Sequence, residues 1–269
     1  TDDENAIPHT LVMTATPIPR TLSLTIFGDL DVSTINAMPP GRVPITTKLV
    51  QPDGAEKVYT YLKSLVELRQ QGYVVVPLVD ETGSGLKSVM NHAETLRNGI
   101  LRGLSVEVVH GRMKSDERET TMQRFRDGNI DVLVATTVIE VGVDIPNATM
   151  IVIEHADRFG LAQLHQLRGR VGRGILPGVC ALIASPVTDD ASSRLEAIVE
   201  STDGFYIAER DLEIRGPGEL FGAKQSGIAP FVVARLPRDF DLLRLARDIA
   251  STWIVRDPHI AESPLLKAR

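Results

Sequence analysis

The sequence predicts an α/β fold: a parallel sheet with helices on both faces, followed by a carboxyl-terminal helical hairpin, a loop and a last helix. Three observations carry this. Short apolar, β-branched runs alternate with segments of helical period from Ile45 to Ala184. Several runs, such as Val132–Ala135 and Val179–Ile183, are apolar at every position, as strands buried on both faces require. Beyond Ser185 the strand runs stop and two helical segments joined by Asp203-Gly204 take over.

Taken in order, Leu11-Val-Met13 reads as a short buried strand leading into Thr14-Ala-Thr16-Pro-Ile-Pro-Arg20. Three residues cannot make a sheet alone, so neighbouring strands are expected upstream. The polar start lacks an initiator Met and reads as a cut end. Arg20 to Phe27 suits a short helix, and Pro39-Pro-Gly-Arg42-Val-Pro44 cannot continue a regular element, so it reads as a linker. Ile45 to Val50 alternates as an edge strand. Glu56 to Gln71 spaces Val58, Leu62, Leu65, Val66 and Arg69 helically, with Gly72 as the stop. Tyr73 to Val79 is a strand, Glu81 to Gly85 a polar loop and Val89 to Leu101 a helix. Val106 to Val109 is a strand. Ser115 is the expected N-cap of the next helix, with Asp116 and Glu117 at its positive end, Met122 and Phe125 facing the core and Gly128 ending it. Met150–Ile153 is the strand between Val132–Ala135 and Val179–Ile183.

In the tail, Asp189 to Ser201 is amphipathic, with Leu195, Ile198 and Val199 on one side. Phe205 to Ile214 is a second helix, with Phe205, Ala208 and Leu212 in step. Arg215 to Gly227 carries four glycines and a proline and reads as a loop. Asp239 to Trp253 is the last helix, with Leu242, Leu245, Ile249 and Trp253 expected to pack.

Composition narrows the function classes. The 269 residues are 43% hydrophobic and 24% charged, as in ordinary globular proteins. No run of 18 apolar residues and no charged-then-apolar leader is present, so the chain reads as cytoplasmic with no membrane partner. The lone Cys180 lies in an apolar run and reads as a buried small hydrophobe. A net charge of −6 argues against broad wrapping of nucleic acid but allows a local contact track. No metal-ligand cluster accompanies His110, so no metal site is expected.

Chemistry concentrates between Asp131 and Arg173. Thr136 and Thr137 follow a buried strand, at the carboxyl end where open α/β sheets hold ligands. Gln163, Gln166, Arg170 and Arg173 are separated by 3, 4 and 3 residues, which puts them on one helical face, while Leu161, Leu164, Leu167 and Val171 form another. Gly169 and Gly172 weaken the last turn. Forked guanidiniums suit a transferring phosphoryl group. Spacing alone fits a salt-bridged surface helix equally well.

Ala135-Thr-Thr-Val-Ile-Glu-Val-Gly142-Val-Asp144 followed by Gln166-Leu-Arg-Gly-Arg170-Val-Gly-Arg173 resembles motifs V and VI of superfamily 2 helicases. Thr14-Ala-Thr16-Pro resembles motif III, and His110-Gly111-Arg112 resembles motif IVa. The resemblance implies a RecA-like sheet. It implies that Gln166, Arg170 and Arg173 are catalytic toward ATP, with Thr16, Gly142 and Asp144 at the ATP site or coupled to it. Gly111, Arg112, Thr136 and Thr137 are implied to touch DNA. For His110 itself a structural role is the commoner reading. ATP with Mg²⁺ is the implied cofactor pair of the complete enzyme. Neither a Gly-x-x-x-x-Gly-Lys-Ser/Thr loop nor an acidic Mg²⁺-holding strand end occurs in these residues, so the chain reads as the later half of a motor and is expected to be inactive alone.

Asp203-Gly-Phe-Tyr-Ile-Ala-Glu-Arg-Asp-Leu-Glu-Ile-Arg215-Gly-Pro-Gly-Glu-Leu220 and Gln225-Ser-Gly227 resemble the translocation motif of the RecG family, which is shared with the transcription-repair coupling factor Mfd. Pro39-Pro-Gly-Arg42, Leu164-His-Gln166 and Gly216-Pro-Gly218 are more similar to RecG. This implies double-stranded DNA translocation at stalled forks and Holliday junctions, with Arg215 and Gln225 in the translocation motif. The implied partners are branched DNA, an upstream wedge and first helicase domain, and single-stranded DNA-binding protein, with the protein a monomer. The expected organisation is the tail of a first helicase domain and a linker over 1–44, a second RecA-like domain over 45–187, and the translocation region over 188–269. Two other readings are an Mfd-like translocase and a catalytically inert module that kept a RecA-like fold.

Overall fold

The computed structural model describes residues 43–77, 84–136, 144–215 and 239–258, together with 11, 13, 33 and 35. Its centre is a six-stranded, wholly parallel sheet. The strands are β1 (Thr46–Val50), β2 (Gln71–Val75), β3 (Val106–Val109), β4 (Val132–Ala135), β5 (Ala148–Glu154) and β6 (Val179–Ile183). Their spatial order is β1-β6-β5-β2-β4-β3, so β1 is an edge strand as its alternation predicts. All six carboxyl ends point to one side of the sheet, where ligands of such folds collect.

The helices are α1 (Ala55–Glu67), α2 (Ser84–Asn98), α3 (Ser115–Arg126), α4 (Leu161–Arg168), α5 (Asp189–Glu200), α6 (Gly204–Arg215) and α7 (Phe240–Arg256). The fully apolar strand runs follow from burial on both faces. Tyr73, Leu133, Ile151 and Cys180 point to a core shared with α3, α4, α5 and α6. Val74, Val134, Val152 and Ala181 point to the opposite core, against Leu62 and Leu65 of α1 and Val89, Ala93 and Leu96 of α2. Cys180 is buried, and burial pushes its thiol up to about 12, which suits a packing residue and not a nucleophile.

Several expectations need correction. Gly72 does not stop α1. The helix ends at Glu67, with Arg69 left-handed at φ 63°, and Gly72 is a strand residue. A Cβ at Gly72 would lie 2.3 Å from Leu62 Cδ1, so the glycine admits α1 against the sheet. Lys114, not Ser115, is the N-cap of α3, and it lends no side-chain bond there. Ser84 and Gly85 belong to α2 and not to a loop. Val199 is exposed on the hairpin. Leu242, Leu245, Ile249 and Trp253 are not packed against the described residues; they are 65%, 55%, 57% and 46% exposed along α7. No helix among the described residues is long and apolar enough to cross a membrane.

Candidate functional site

Among the described residues, those singled out by sequence fall at two places: the carboxyl ends of β3 and β4, and the surroundings of α4, whose tail lies against Ile45, Pro146 and Gly178 at the amino ends of β1, β5 and β6. The first is the end of β3 and β4. Val109 leads into a turn in which the Met113 N–H donates to the His110 carbonyl at 3.1 Å, leaving Gly111 and Arg112 exposed. The Thr136 N–H donates to the Val109 carbonyl at 3.3 Å, so Thr136 sits beside that turn. Thr136 itself is only 2% exposed. Arg112 therefore offers an accessible cation next to a glycine, the pair that close approach to a phosphate backbone asks for. Thr137 and Gly142 lie outside the described residues, as do Thr16 and Gln225.

The second place surrounds α4. Leu161, Leu164 and Leu167 are buried as their period predicts, and half-buried Gln166 lies on the other side. The helix does not extend through the arginines. It ends at Arg168, Gly169 caps it, and Gly172 turns the chain at φ 66°. The tail is packed tightly. A Cβ at Gly172 would meet Gly178 at 3.3 Å, and one at Gly174 would lie 2.7 Å from the Pro146 carbonyl oxygen. These glycines let the arginine-bearing tail run against the segment that carries Asp144. Arg173 Nε donates to the Gly169 carbonyl at 2.9 Å, and its Nη1 lies 3.7 Å from Asp144 Oδ1. Burial raises the Tyr73 hydroxyl well above its ordinary range. The Arg170 and Arg173 guanidiniums pull it back, and Asp144 adds to the rise.

Arg168 was missed by sequence reasoning and is 2% exposed. Its Nη1 donates to the carbonyls of Ile198 at 2.6 Å and Ser201 at 2.8 Å, and its Nη2 lies 3.0 Å from His165 Nδ1. A cation thus covers the carboxyl end of α5, where the helix dipole is negative. Its position four residues after Leu164 was the available signal, masked by its charge. Burial lowers its pKa, but an arginine stays protonated at any physiological pH.

The hairpin itself follows from local rules. Thr188 Oγ1 accepts from the Ala191 N–H at 3.2 Å to start α5, and Asp203 Oδ1 accepts from the Phe205 N–H at 2.9 Å at the turn into α6. Ile207 and Leu212 of α6 are buried, and Ile207 shares a core with Leu161, Leu164 and Leu167 of α4. Arg215 is the last residue of α6 and not part of a loop; its Nε donates to Asp211 Oδ1 at 3.1 Å. Its Nη2 borders Gly160, the residue before α4, where an added Cβ would come within 2.9 Å. The hairpin therefore rests on the helix that precedes Arg170 and Arg173.

Residues 57–174 match the helicase conserved C-terminal domain family, and residues 201–266 match the family of ATP-dependent DNA helicase RecG, domain 3, C-terminal. The chain is 46% identical over 263 residues to the ATP-dependent DNA helicase RecG of Synechocystis, covering 97% of this chain and 32% of that protein. It is 49% identical to RecG of Streptococcus pneumoniae, covering 91% and 36%. A solved structure of RecG bound to a three-way DNA junction is similar with a TM-score of 0.68 at 45% identity, covering 85% of this chain and 30% of that one. The chain spans about a third of the length of these relatives.

Proposed function

This chain belongs to the RecG family of ATP-dependent DNA helicases, and from that footing we propose that it is the carboxyl-terminal motor half of a double-stranded DNA translocase. In this reading 45–187 is the second RecA-like domain and 188–269 the translocation region. The substrate is branched DNA, at stalled forks and Holliday junctions. The observation that carries the reading is the continuity from Asp144 through Arg173 and Arg168 to the hairpin.

ATP with Mg²⁺ supplies a phosphoryl group whose transfer to water drives the cycle. The donor set fits it: Arg173 is a cation held by Asp144 and the Gly169 carbonyl, Arg170 lies on the same glycine-lined tail, and guanidiniums are suited to charge developing on phosphoryl oxygens. Asp144 and the Gly169 carbonyl orient Arg173. Gln166, one turn before Arg170, is the residue placed to orient the attacking water. Arg168 transmits any shift of α4 to the end of α5, and α6 carries it to Arg215. Gly111 and Arg112 hold the DNA backbone. Thr16 and Gly142 belong to the ATP side and Thr137 to the DNA side, while Thr136, 2% exposed, does not reach the surface and supports the turn that carries Arg112. The wedge, the first helicase domain and single-stranded DNA-binding protein are the partners in this reading, with the complete protein a monomer in the cytoplasm.

The test is fork regression. The complete protein, given ATP, Mg²⁺ and a model replication fork, should convert the fork to a four-way junction. The isolated 269-residue chain should fold yet leave ATP intact, because it has no phosphate-gripping loop. Turnover of ATP by the purified chain, or a complete protein inert on forks, would count against the reading.

A further inference from the structure

Between the start of α4 and the end of α6 lies a cleft of about 380 Å³. Arg158, Arg194 and Arg215 line it, together with Phe159 and Gly160, and Asp190 is the acidic residue among the described lining. None of these features belongs to the ATP-facing tail at the other end of α4. We propose that this cleft is a phosphate-binding site that takes a backbone phosphate of the duplex, a proposal that rests on the translocase reading.

Charge is the first argument. Three guanidiniums face one carboxylate in a chain whose net charge is −6. A protein that is acidic overall holds nucleic acid only where positive charge is concentrated locally. The arginines are also incompletely used. Arg158 is exposed and makes no ion pair among the described residues. Arg194 Nη2 donates to the Asp157 carbonyl at 3.0 Å, but its Nε is buried and has no hydrogen-bond partner among the described residues. A buried, unpartnered N–H on a cation is costly unless an acceptor reaches it. Arg215 is tied to Asp211 through Nε.

The helix start is the second argument. The first turn of α4 carries no acidic side chain, and its cap is glycine. The Gly160 N–H is taken by Gln163 Oε1 at 3.1 Å, while the positive end of the helix faces the cleft. The volume exceeds a bare ion and admits a phosphodiester with its adjoining sugar. Phosphate is the shared chemistry. A free phosphate could supply it as well as DNA could, and the experiment separates the two.

The experiment uses the complete protein. Its affinity for a fluorescent duplex is measured across a salt series, and its thermal shift with inorganic phosphate in parallel. Arg158→Ala should weaken duplex binding and lower the slope of log K against log salt by about 1. Asp190→Asn should move affinity the other way, a gain that misfolding cannot imitate. A wild-type salt slope in Arg158→Ala, with loss of the phosphate-induced thermal shift, would assign the site to free phosphate. Both readouts at wild-type values in Arg158→Ala would overturn the proposal. Failure of the wild-type protein to bind or unwind DNA would sink the translocase reading instead, and the phosphate arm would still judge the cleft.

Discussion

Arg173 Nη1 lies 3.7 Å from Asp144 Oδ1, while Arg173 Nε is held by the Gly169 carbonyl at 2.9 Å. The two residues come from separate segments, one after β4 and one after α4. The pair is half exposed, its side chains being 31% and 60% accessible, so it contributes little stability by itself. Its consequence is aim. One face of the fork is fixed and the remainder is left for an incoming charge.

The first prediction concerns that aim. In the complete enzyme Arg173→Ala or Arg170→Ala should lower kcat for ATP about 10³-fold, the scale of arginine fingers. Nucleotide affinity should change far less, since the contact strengthens in the transition state. Arg→Lys should rescue poorly because the fork is lost. Asp144→Asn should cost at most about 10²-fold, as a misplaced group would. Steady-state kinetics decide: a raised KM with unchanged kcat would assign these arginines to ground-state binding.

Arg168 should behave differently. Replacing it with Met keeps much of the volume but strands the Ile198 and Ser201 carbonyls that it serves at 2.6 and 2.8 Å. Loss of charge-assisted bonds to buried carbonyls costs about 3 kcal/mol. The isolated chain carrying Arg168→Met should unfold at lower denaturant with an unchanged slope. In the complete enzyme, unwinding should fall more than ATP hydrolysis. Equal loss of both rates would place Arg168 at the ATP site.

The buried Glu154 at the end of β5 gives a pH prediction. Tyr59 Oη donates to Glu154 Oε1 at 2.6 Å and lies 3.2 Å from His92 Nε2. Burial holds the His92 imidazole below its ordinary 6.5, against the pull of Glu154 and with a further push from His155. Below 6.5 the unfolded chain therefore binds the proton more readily, and stability is lost as pH falls from 6.5 toward the folded value. Burial, then Glu154, raises the Tyr59 hydroxyl well above 10.0. Above pH 10.0 the unfolded tyrosine ionises first, so stability falls again. Melting temperature against pH should show a plateau between these limits. His92→Gln should flatten the acid limb, and Tyr59→Phe the alkaline limb. An acid limb unchanged in His92→Gln would remove the histidine from the account.

Much of this was legible because it depends on local pattern. Val132–Ala135 lacks alternation because both faces are covered, and that alone announces a central parallel strand. The leucines of α4 were readable by period. What failed depends on partners remote in sequence. Gly72 resembles a helix stop until Leu62 is seen 2.3 Å from its missing Cβ. Arg168 resembles a surface charge until the carbonyls at the end of α5 are placed beside it. Periodicity put Arg170 and Arg173 on a helical face, yet Gly169 ends the helix, the tail runs against Pro146, and Asp144 aims Arg173. The apolar stripe of α7 shows that amphipathic spacing predicts a helix without locating what covers it.

The last prediction concerns coupling through the hairpin. α6 rests on α4, and Arg215 at its end borders Gly160 at the start of α4. A shift of α4 as ATP is gripped would move both ends of the hairpin, through Arg168 at the end of α5 and through Arg215 at the end of α6. Arg215 then anchors the segment that follows, and Gln225 is the polar residue in it assigned to touch DNA; Gln225 lies outside the described residues. Arg215→Ala and Gln225→Ala in the complete enzyme should leave most ATP hydrolysis intact while fork unwinding falls sharply, because the stroke still occurs but is not transmitted. Both rates are measured on the same forked substrate. Proportional loss of the two would mean the segment serves the ATP site, and unchanged unwinding would reduce it to a connector.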